Sequence, residues 1–533
     1  MSVNDIEKGS SQVEHTAFYE YLDFDGAALF TAVFLPKPEG RFPTVIIRHP
    51  YLDVDRERTE EEIRRLRLPD QAHWLDAGYA VVLQHCRGTG KSGGDFVPYL
   101  AEREDGLALQ SWIRRQPFYN RELYLCGSSY TSSVHFVTAP FASDIRGAVL
   151  QVQTCERYDC NYRNGIYKMG LHGGWYVRMY KKNGDLKKAF TPDSYRMLPL
   201  SDFSRAVLGE SAPDFDEVLR HPDRDDPFWT TSRYGGAEAH DAIRHARIPI
   251  LLVTGFYDIY TGSVFDMWNR LDGETKGKSA LLVHPYGHGG KPTGEPICFE
   301  RATLDEAFGD YAVRWFDAVR GLGEYPVPLG AVTYYQLFGD AWHTDDFAQP
   351  SETVTLPLGE GMRSYRYNPY APASFEGGLS ANFGGNAWQG EPSARYDVVS
   401  LFTPIFEKDT PVKGKMSARL RVSSSAEDTC FYMRISLVKE AGTYGLRDDI
   451  NQISNFRPDY APGEMVEIPF SFDEHAFVIG AGERLRIDIS SSAFPHYVPH
   501  TNHRGLFSEQ TTATVATNTV FLDGSSLTLP IES

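Results

Sequence analysis

"ELYLCGSSYTSSVHF", Glu122 to Phe136, joins a short apolar run, one glycine and a cluster of hydroxyls. Leu123 to Cys126 reads as a buried strand, and the residues after Tyr130 can start a helix. Gly127-Ser128-Ser129-Tyr130 therefore falls on a strand-to-helix turn. A serine two residues after a glycine at such a turn is the nucleophile-elbow arrangement. The turn strains the serine backbone, so its neighbours must be small. It also sets Oγ at the mouth of the sheet, where backbone N–H groups can meet a developing oxyanion. The usual second glycine is missing, with Thr131 in its place. Taken alone, the stretch also fits an ordinary serine-rich turn.

The flanking sequence alternates strands with helices. Strand-like runs are "FYEYLDFDGAALFTAVFLP" from about residue 17, "FPTVIIRHPY", "AVVLQH", "IRGAVLQV", "IPILLVTG" and "SALLVHP". Helix-like segments are "EEEIRRLRLPDQAHWLDAGY", "EREDGLALQSWIRRQP" and "LDEAFGDYAVRWFDAVRG", the last stopping at Gly321 and Gly323. This alternation predicts a mostly parallel sheet covered on both faces. It lapses between Gln151 and about Arg247, where a helical insertion is expected to cap the site. After about Pro328, strands such as "LGAVTYYQLF", "KMSARLRVSS", "CFYMRISLV" and "ERLRIDISSS" predict a β-sandwich of jelly-roll type. The expected division is a flexible N-terminus (1–16), an α/β catalytic unit (17–150 and 246–328), a cap (151–245) and the sandwich (329–533).

"HCRGTGKSGGDF", His85 to Phe96, invites a second reading as a phosphate-binding loop. That loop needs a glycine five residues before Gly90, and His85 stands there. It must also open into a helix whose N-terminus holds phosphate, whereas Gly93, Gly94 and "DFVPY" follow. The nucleotide-hydrolase reading fails on both counts.

A serine nucleophile needs a base and an acid, and an α/β-hydrolase supplies them in the order Ser, acid, His. Asp258 in "FYDIYTG" and His288 in "YGHGG" each fall just past a predicted strand, where parallel sheets place their sites. His288 would deprotonate Ser129, and Asp258 would orient His288. His284, at the strand end itself, is expected to pack rather than to act as base.

Bulk properties narrow the field. The 533 residues are 41% hydrophobic and 23% charged, an ordinary globular balance. A net charge of −18 with no basic tract argues against nucleic acid or an anionic membrane as partner. Six scattered cysteines make no disulfide framework or metal-ligand spacing, and Cys155 and Cys160 are expected to be free thiols. With no apolar run near 18 residues and no signal-peptide pattern, a soluble cytoplasmic protein is expected. A homo-oligomer is left open.

Together these pieces resemble the cocaine-esterase-like (CocE/NonD) hydrolases, which are related to X-Pro dipeptidyl-peptidases and α-amino acid ester hydrolases. "RHPY" (48–51) is similar to that family's Arg-x-Pro-Tyr. "AGYAVVLQHCRGTGKSGGDF" is similar to its Gly-Tyr…Asp-x-Arg-Gly-x-Gly-x-Ser-x-Gly stretch. "EDGLALQSWIRRQPFYN", "CGSSYTS", "GFYDIY", "HPYGHG", "HPDRDDPFW", "RWFDAVRG" and "GAGERLRIDISSSAFPHY" also fit, so the resemblance spans nearly the whole chain. It implies Ser129 as nucleophile, Asp258 as acid and His288 as base. It also implies an oxyanion hole made by the Tyr51 hydroxyl and the Tyr130 N–H, and an acyl pocket lined by Tyr260. No metal or cofactor is implied. Two departures stand out. His85 replaces an aspartate, leaving Arg87 without its expected carboxylate, and Ser132 replaces a glycine after the elbow.

The expected activity is acyl transfer to water on esters or amides. Dipeptidyl or amino-acyl substrates would need a carboxylate for their ammonium group, and Glu156, Asp159 and the Asp223–Asp226 run are the available ones. An esterase is the first reading, and an Xaa-Pro peptidase or amino-acid ester hydrolase the second. An acyltransferase on the same triad and a non-catalytic binding protein are further alternatives.

Overall fold

The computed structural model describes residues 15–51, 55, 57–139, 143–180, 196–230, 242–291, 299, 302–379, 385–391 and 395–532. Most of the N-terminal stretch expected to be flexible lies outside these residues, as does Cys298.

The first half builds a twisted sheet from β1 (Thr16–Phe24), β2 (Ala27–Leu35), β3 (Phe42–His49), β4 (Ala80–His85), β5 (Tyr119–Ser128) and β6 (Ile145–Gln151). A short hairpin, β7 (Tyr162–Arg163) and β8 (Ile166–Tyr167), lies in the excursion that follows. The sheet resumes with β9 (Ile250–Gly255), β10 (Ala280–His284), β11 (Val332–Gln336) and β12 (Ala341–Asp345). Its ten strands run in the order β1-β2-β4-β3-β5-β6-β9-β10-β11-β12. Pairing is parallel from β4 through β11 and antiparallel at both edges.

The central strands are buried on both faces because apolar side chains point both ways, as a parallel sheet requires. On one face Val81, Tyr124, Val149 and Leu251 pack under Trp74, Trp315 and Phe316. On the other, Leu125, Ala148 and Leu252 join Leu109, Ile113 and Phe136. The helix expected across Leu304–Gly321 is split into Leu304–Phe308 and Tyr311–Val319. Gly309 is left-handed between them, and the Asp310 carboxylate caps the second piece at the Val313 N–H.

The excursion after β6 is helical, with its own aromatic core of Tyr158, Tyr162, Tyr167, Tyr176, Phe215 and Trp229. The C-terminal part is a jelly-roll β-sandwich. One antiparallel sheet pairs Thr353–Pro357, Ala516–Pro530, Ser417–Ser424 and Val466–Ser471. The other pairs Val399–Phe402, Arg484–Ser490, Cys430–Lys439 and Gly442–Gln452.

One strand assignment differs from the sequence reading. Val332–Gln336, grouped by pattern with the sandwich, instead pairs in parallel with β10 and carries the central sheet past residue 328. Alternation identifies a strand but not the sheet that takes it. Among the described residues no helix is long and apolar enough to cross a membrane.

Candidate functional site

The backbone is strained at Ser129. Ser129 follows the last residue of β5 and precedes the Tyr130–Phe136 helix, with φ 57° and ψ −133°. This is a strained conformation for a residue with a Cβ. Three close approaches hold it there. A Cβ on Gly127 would lie 2.0 Å from the Thr131 carbonyl oxygen, so only glycine lets the helix fold back onto the strand. The Ser129 N–H donates to the Gln151 carbonyl on β6 at 3.0 Å. Ser132 contributes more than small size. Its hydroxyl donates to the Gly127 carbonyl at 2.6 Å and accepts the Gln151 N–H at 2.8 Å, tying helix, β5 and β6 together.

Asp258 lies on the turn after β9 and His288 on the loop after β10, and both converge on Ser129. His288 Nε2 is 2.9 Å from Ser129 Oγ, and its Nδ1 is 2.6 Å from Asp258 Oδ2. The other oxygen, Asp258 Oδ1, accepts the Tyr260 N–H at 2.7 Å. A fully buried carboxylate thus receives a ring N–H and a backbone N–H. This network leaves Nε2 as acceptor of the Ser129 hydroxyl proton. Burial works to lower the pKa of His288, but the charge and hydrogen bond of Asp258 outweigh it, and the net shift is upward. His284 behaves otherwise. Burial pushes it down to about 4 and its Nδ1 accepts the Tyr286 N–H, so it is a neutral packed side chain.

Tyr51, two residues past β3, places its hydroxyl 3.2 Å from Ser129 Oγ, and the Tyr130 N–H donates to that hydroxyl at 3.3 Å. The Tyr51 phenol therefore lies against Ser129 Oγ and is itself met by the Tyr130 N–H. Tyr260 is buried edge-on to His288, with ring centroids 6.0 Å apart. Its hydroxyl is 3.3 Å from Nε2 of His172 on the π-helical turn Met169–Gly173. Trp175 stacks on Tyr130 at 5.7 Å. His172 and Trp175 were not singled out by sequence. Their segment carries no motif, and only the fold brings it over the elbow.

Beneath the site runs a buried ionic network that answers the question left by Arg87. Arg48, 1% exposed, donates to Glu102 Oε2 at 2.6 Å and to Gln84 Oε1 at 3.0 Å. Glu102 Oε1 accepts the Tyr130 hydroxyl at 2.8 Å. Arg87 forms a bidentate pair with Asp105, at 2.5 and 3.1 Å. Its carboxylate thus comes from the Glu102–Ile113 helix rather than from position 85. His85 organises the glycine-rich loop instead. Its Nδ1 accepts the Lys91 N–H at 3.0 Å, and a Cβ on Gly90 would lie 2.2 Å from that nitrogen. The next helix begins only at Glu102, so nothing here cradles phosphate.

Three of the acidic candidates of the excursion are already paired, while Asp223 and Asp225 are exposed. Glu156 pairs with Arg224 at 3.0 Å and with Arg270, and Asp159 pairs with Arg224. Asp226 accepts from the Phe228 N–H and lies 2.7 Å from His221 Nδ1. Cys126, Cys155 and Cys160 are free thiols, and burial raises all three pKa values, Cys126 to about 12. Among the described residues no three His, Cys, Asp or Glu side chains are grouped to share a metal ion.

Comparisons with known proteins bear on the fold and the family. The family described as X-Pro dipeptidyl-peptidase (S15 family) matches residues 25–290. The X-Pro dipeptidyl-peptidase C-terminal non-catalytic domain matches residues 310–528. A cocaine esterase of Rhodococcus sp. (strain MB1 Bresler) is 24% identical over 550 residues, covering 91% of this chain and 92% of its own. Among solved structures, an aminopeptidase from a marine sediment archaeon, Thaumarchaeota archaeon, superposes with a TM-score of 0.81 at 19% identity, covering 100% of this chain and 99% of its own. An α-amino acid ester hydrolase gives 0.79 at 17% identity, covering 99% and 98%. At such identities the two structures carry the fold alone. With both halves of the chain matched in order, the chain belongs to the X-Pro dipeptidyl-peptidase (S15)-related, CocE/NonD family of α/β-hydrolases and is a serine hydrolase.

Proposed function

We propose that the chain hydrolyses carboxylic esters of small molecules through an acyl-enzyme on Ser129. The observation that carries this reading is the unbroken relay from Ser129 Oγ to His288 Nε2 and from His288 Nδ1 to Asp258. His288 takes the serine proton as Oγ attacks the carbonyl carbon. The negative charge that forms on the carbonyl oxygen is met by the Tyr51 O–H and the Tyr130 N–H. Collapse of this intermediate expels the alcohol, which takes its proton from His288. Water then enters, gives a proton to the same nitrogen and releases the acid. Tyr260 borders the acyl side of the site.

Ester substrates are favoured over dipeptidyl and amino-acyl ones because Glu156 and Asp159, the candidate carboxylates that open the excursion, are already paired with Arg224 and Arg270, which weakens their hold on an ammonium group. Transfer of the acyl group to an amine or alcohol would use the same intermediate. A purely binding role would not require the relay. The free thiols of the described cysteines support a reducing, cytoplasmic compartment as the place of action.

A fluorophosphonate is expected to label the peptide bearing Ser128–Ser133, and Ser129→Ala to abolish the label. Ser132 and Ser133 are buried, so they should not substitute. Labelling that persists in the variant rejects the assignment. Turnover of p-nitrophenyl esters is then compared with that of Xaa-Pro anilides. A higher kcat/KM on the anilides overturns the ester preference.

Tyr51→Phe removes one oxyanion donor and little volume. It is expected to lower kcat on a p-nitrophenyl ester about 10²- to 10³-fold with KM nearly unchanged. A loss confined to KM would show that the hydroxyl binds ground state only.

A further inference from the structure

The turn that carries Asp258 is gripped from the sandwich. Arg447 lies on the Gly442–Gln452 strand, just past a shift in register with the neighbouring Cys430–Lys439 strand. Ile435 pairs with Arg447 and Ser436 with Gly445, leaving Leu446 as the extra residue of a bulge. A bulge of this kind re-aims the side chains beside it. Here it sends the Arg447 guanidinium, 2% exposed, toward the sheet. There it donates to the carbonyl of Phe256, two residues before Asp258, and to the carbonyls of Asp473, at 3.1 Å, and Glu474. The same strand takes a second hold, where the Tyr257 hydroxyl donates to the Gly445 carbonyl at 2.6 Å. A third contact is steric. A Cβ on Gly262 would lie 2.6 Å from Asp473 Oδ1, so the far end of the turn is packed against the residue whose carbonyl Arg447 holds. Asp473 is itself fixed by Arg163 of the β7–β8 hairpin at 2.8 Å.

We propose that Arg447 is a positioning residue for the candidate acid Asp258, fixing the Phe256–Gly262 turn from the sandwich so that the carboxylate meets His288. The proposal rests on the hydrolase reading. Among the described residues every hydrogen bond of Arg447 goes to a main-chain carbonyl. A buried guanidinium spread over carbonyls fixes geometry, and its five rigid donors reach several acceptors at once, which an ammonium group cannot do. The distance it guards is short: the carboxylate and ring nitrogen are 2.6 Å apart, and a displacement of about 1 Å in a reacting array can cost about 100-fold in rate.

The test uses the full-length protein, with kcat counted per fluorophosphonate-reactive site so that unfolded molecules drop out. Arg447→Met is expected to lower kcat on a p-nitrophenyl ester about 10- to 100-fold with KM within about threefold. It should also move the acidic limb of the pH–rate profile downward, because a displaced Asp258 supports the His288 proton less. His284 and His172, the histidines on which the charge of His288 acts, are both held below the ordinary histidine value by burial and should not contribute a limb. Arg447→Lys should recover only part of the rate. Because Arg447→Met leaves buried carbonyls without a donor and can prevent folding, Tyr257→Phe removes the second hold with little change in packing. It should lower kcat about threefold to tenfold, with the same downward limb shift. An unchanged kcat and unchanged limb in Arg447→Met, or in Tyr257→Phe where the first does not fold, overturns the proposal. An unaltered protein that takes no label overturns the hydrolase reading as well.

Discussion

Ser129→Ala is expected to lower kcat on a p-nitrophenyl ester by about 10⁴- to 10⁶-fold, leaving KM within a few-fold of its original value. The loss is large because Ser129 Oγ is the hydroxyl that meets His288 Nε2, at 2.9 Å. Ser132 Oγ is saturated by the carbonyl of Gly127 and the N–H of Gln151, and Ser133 is buried. The residual rate above uncatalysed hydrolysis should come from Tyr51 and the Tyr130 N–H, which remain to polarise a carbonyl. Alanine and serine meet the same backbone cost at φ 57°, so the melting temperature should change little. Steady-state kinetics beside a thermal melt checks both parts. A variant that keeps more than a tenth of the original kcat would reject Ser129 as the nucleophile.

The second large effect belongs to Asp258→Asn, for which kcat should fall about 10⁴-fold. Asparagine can offer an N–H to His288 Nδ1. That bond stabilises the tautomer with its proton on Nε2, which cannot accept the proton of Ser129. The pH profile carries an independent sign. Burial lowers the His288 pKa, while Asp258 raises it by more through charge and hydrogen bond. The base must be neutral, so kcat/KM of the unaltered protein should rise with pH through a midpoint above the ordinary histidine value of about 6.5. Without the carboxylate only the lowering contribution remains, and the midpoint of the residual activity should move below about 6.5. A midpoint that stays or rises would mean that Asp258 does not govern the imidazole.

The site was legible in sequence where chemistry coincides with local pattern. Gly127 and Ser129 announce the elbow within a few residues. Asp258 and His288 follow apolar runs whose burial on both faces marks them as parallel strands. What escaped was fixed by distance in the chain. Asp105 pairs with Arg87 across 18 residues because a helix returns over the loop, and no spacing rule predicts that. The whole Gly442–Gln452 strand went unread because "GTYGLRDDINQ" has neither alternation nor an apolar run. Its Arg447, Asp448 and Asp449 are buried all the same, paired with main-chain carbonyls, Arg434 and Arg163. Charged residues at buried positions defeat any reading that equates polar with exposed. Trp175 and His172 were equally silent, since aromatic residues on an irregular helix read as core until the fold shows what they face.

Tyr51, Ser129, Asp258 and His288 sit beyond the ends of β3, β5, β9 and β10, and the strand that grips the acid turn lies more distant still in the chain. Contacts of such long sequence separation form only after the intervening loops have closed, which makes folding slow. Local helices and the β1–β2 hairpin can form early without generating any chemistry. Catalytic competence is thus a property of the finished topology, acquired in the last steps by which a newly made chain becomes an enzyme.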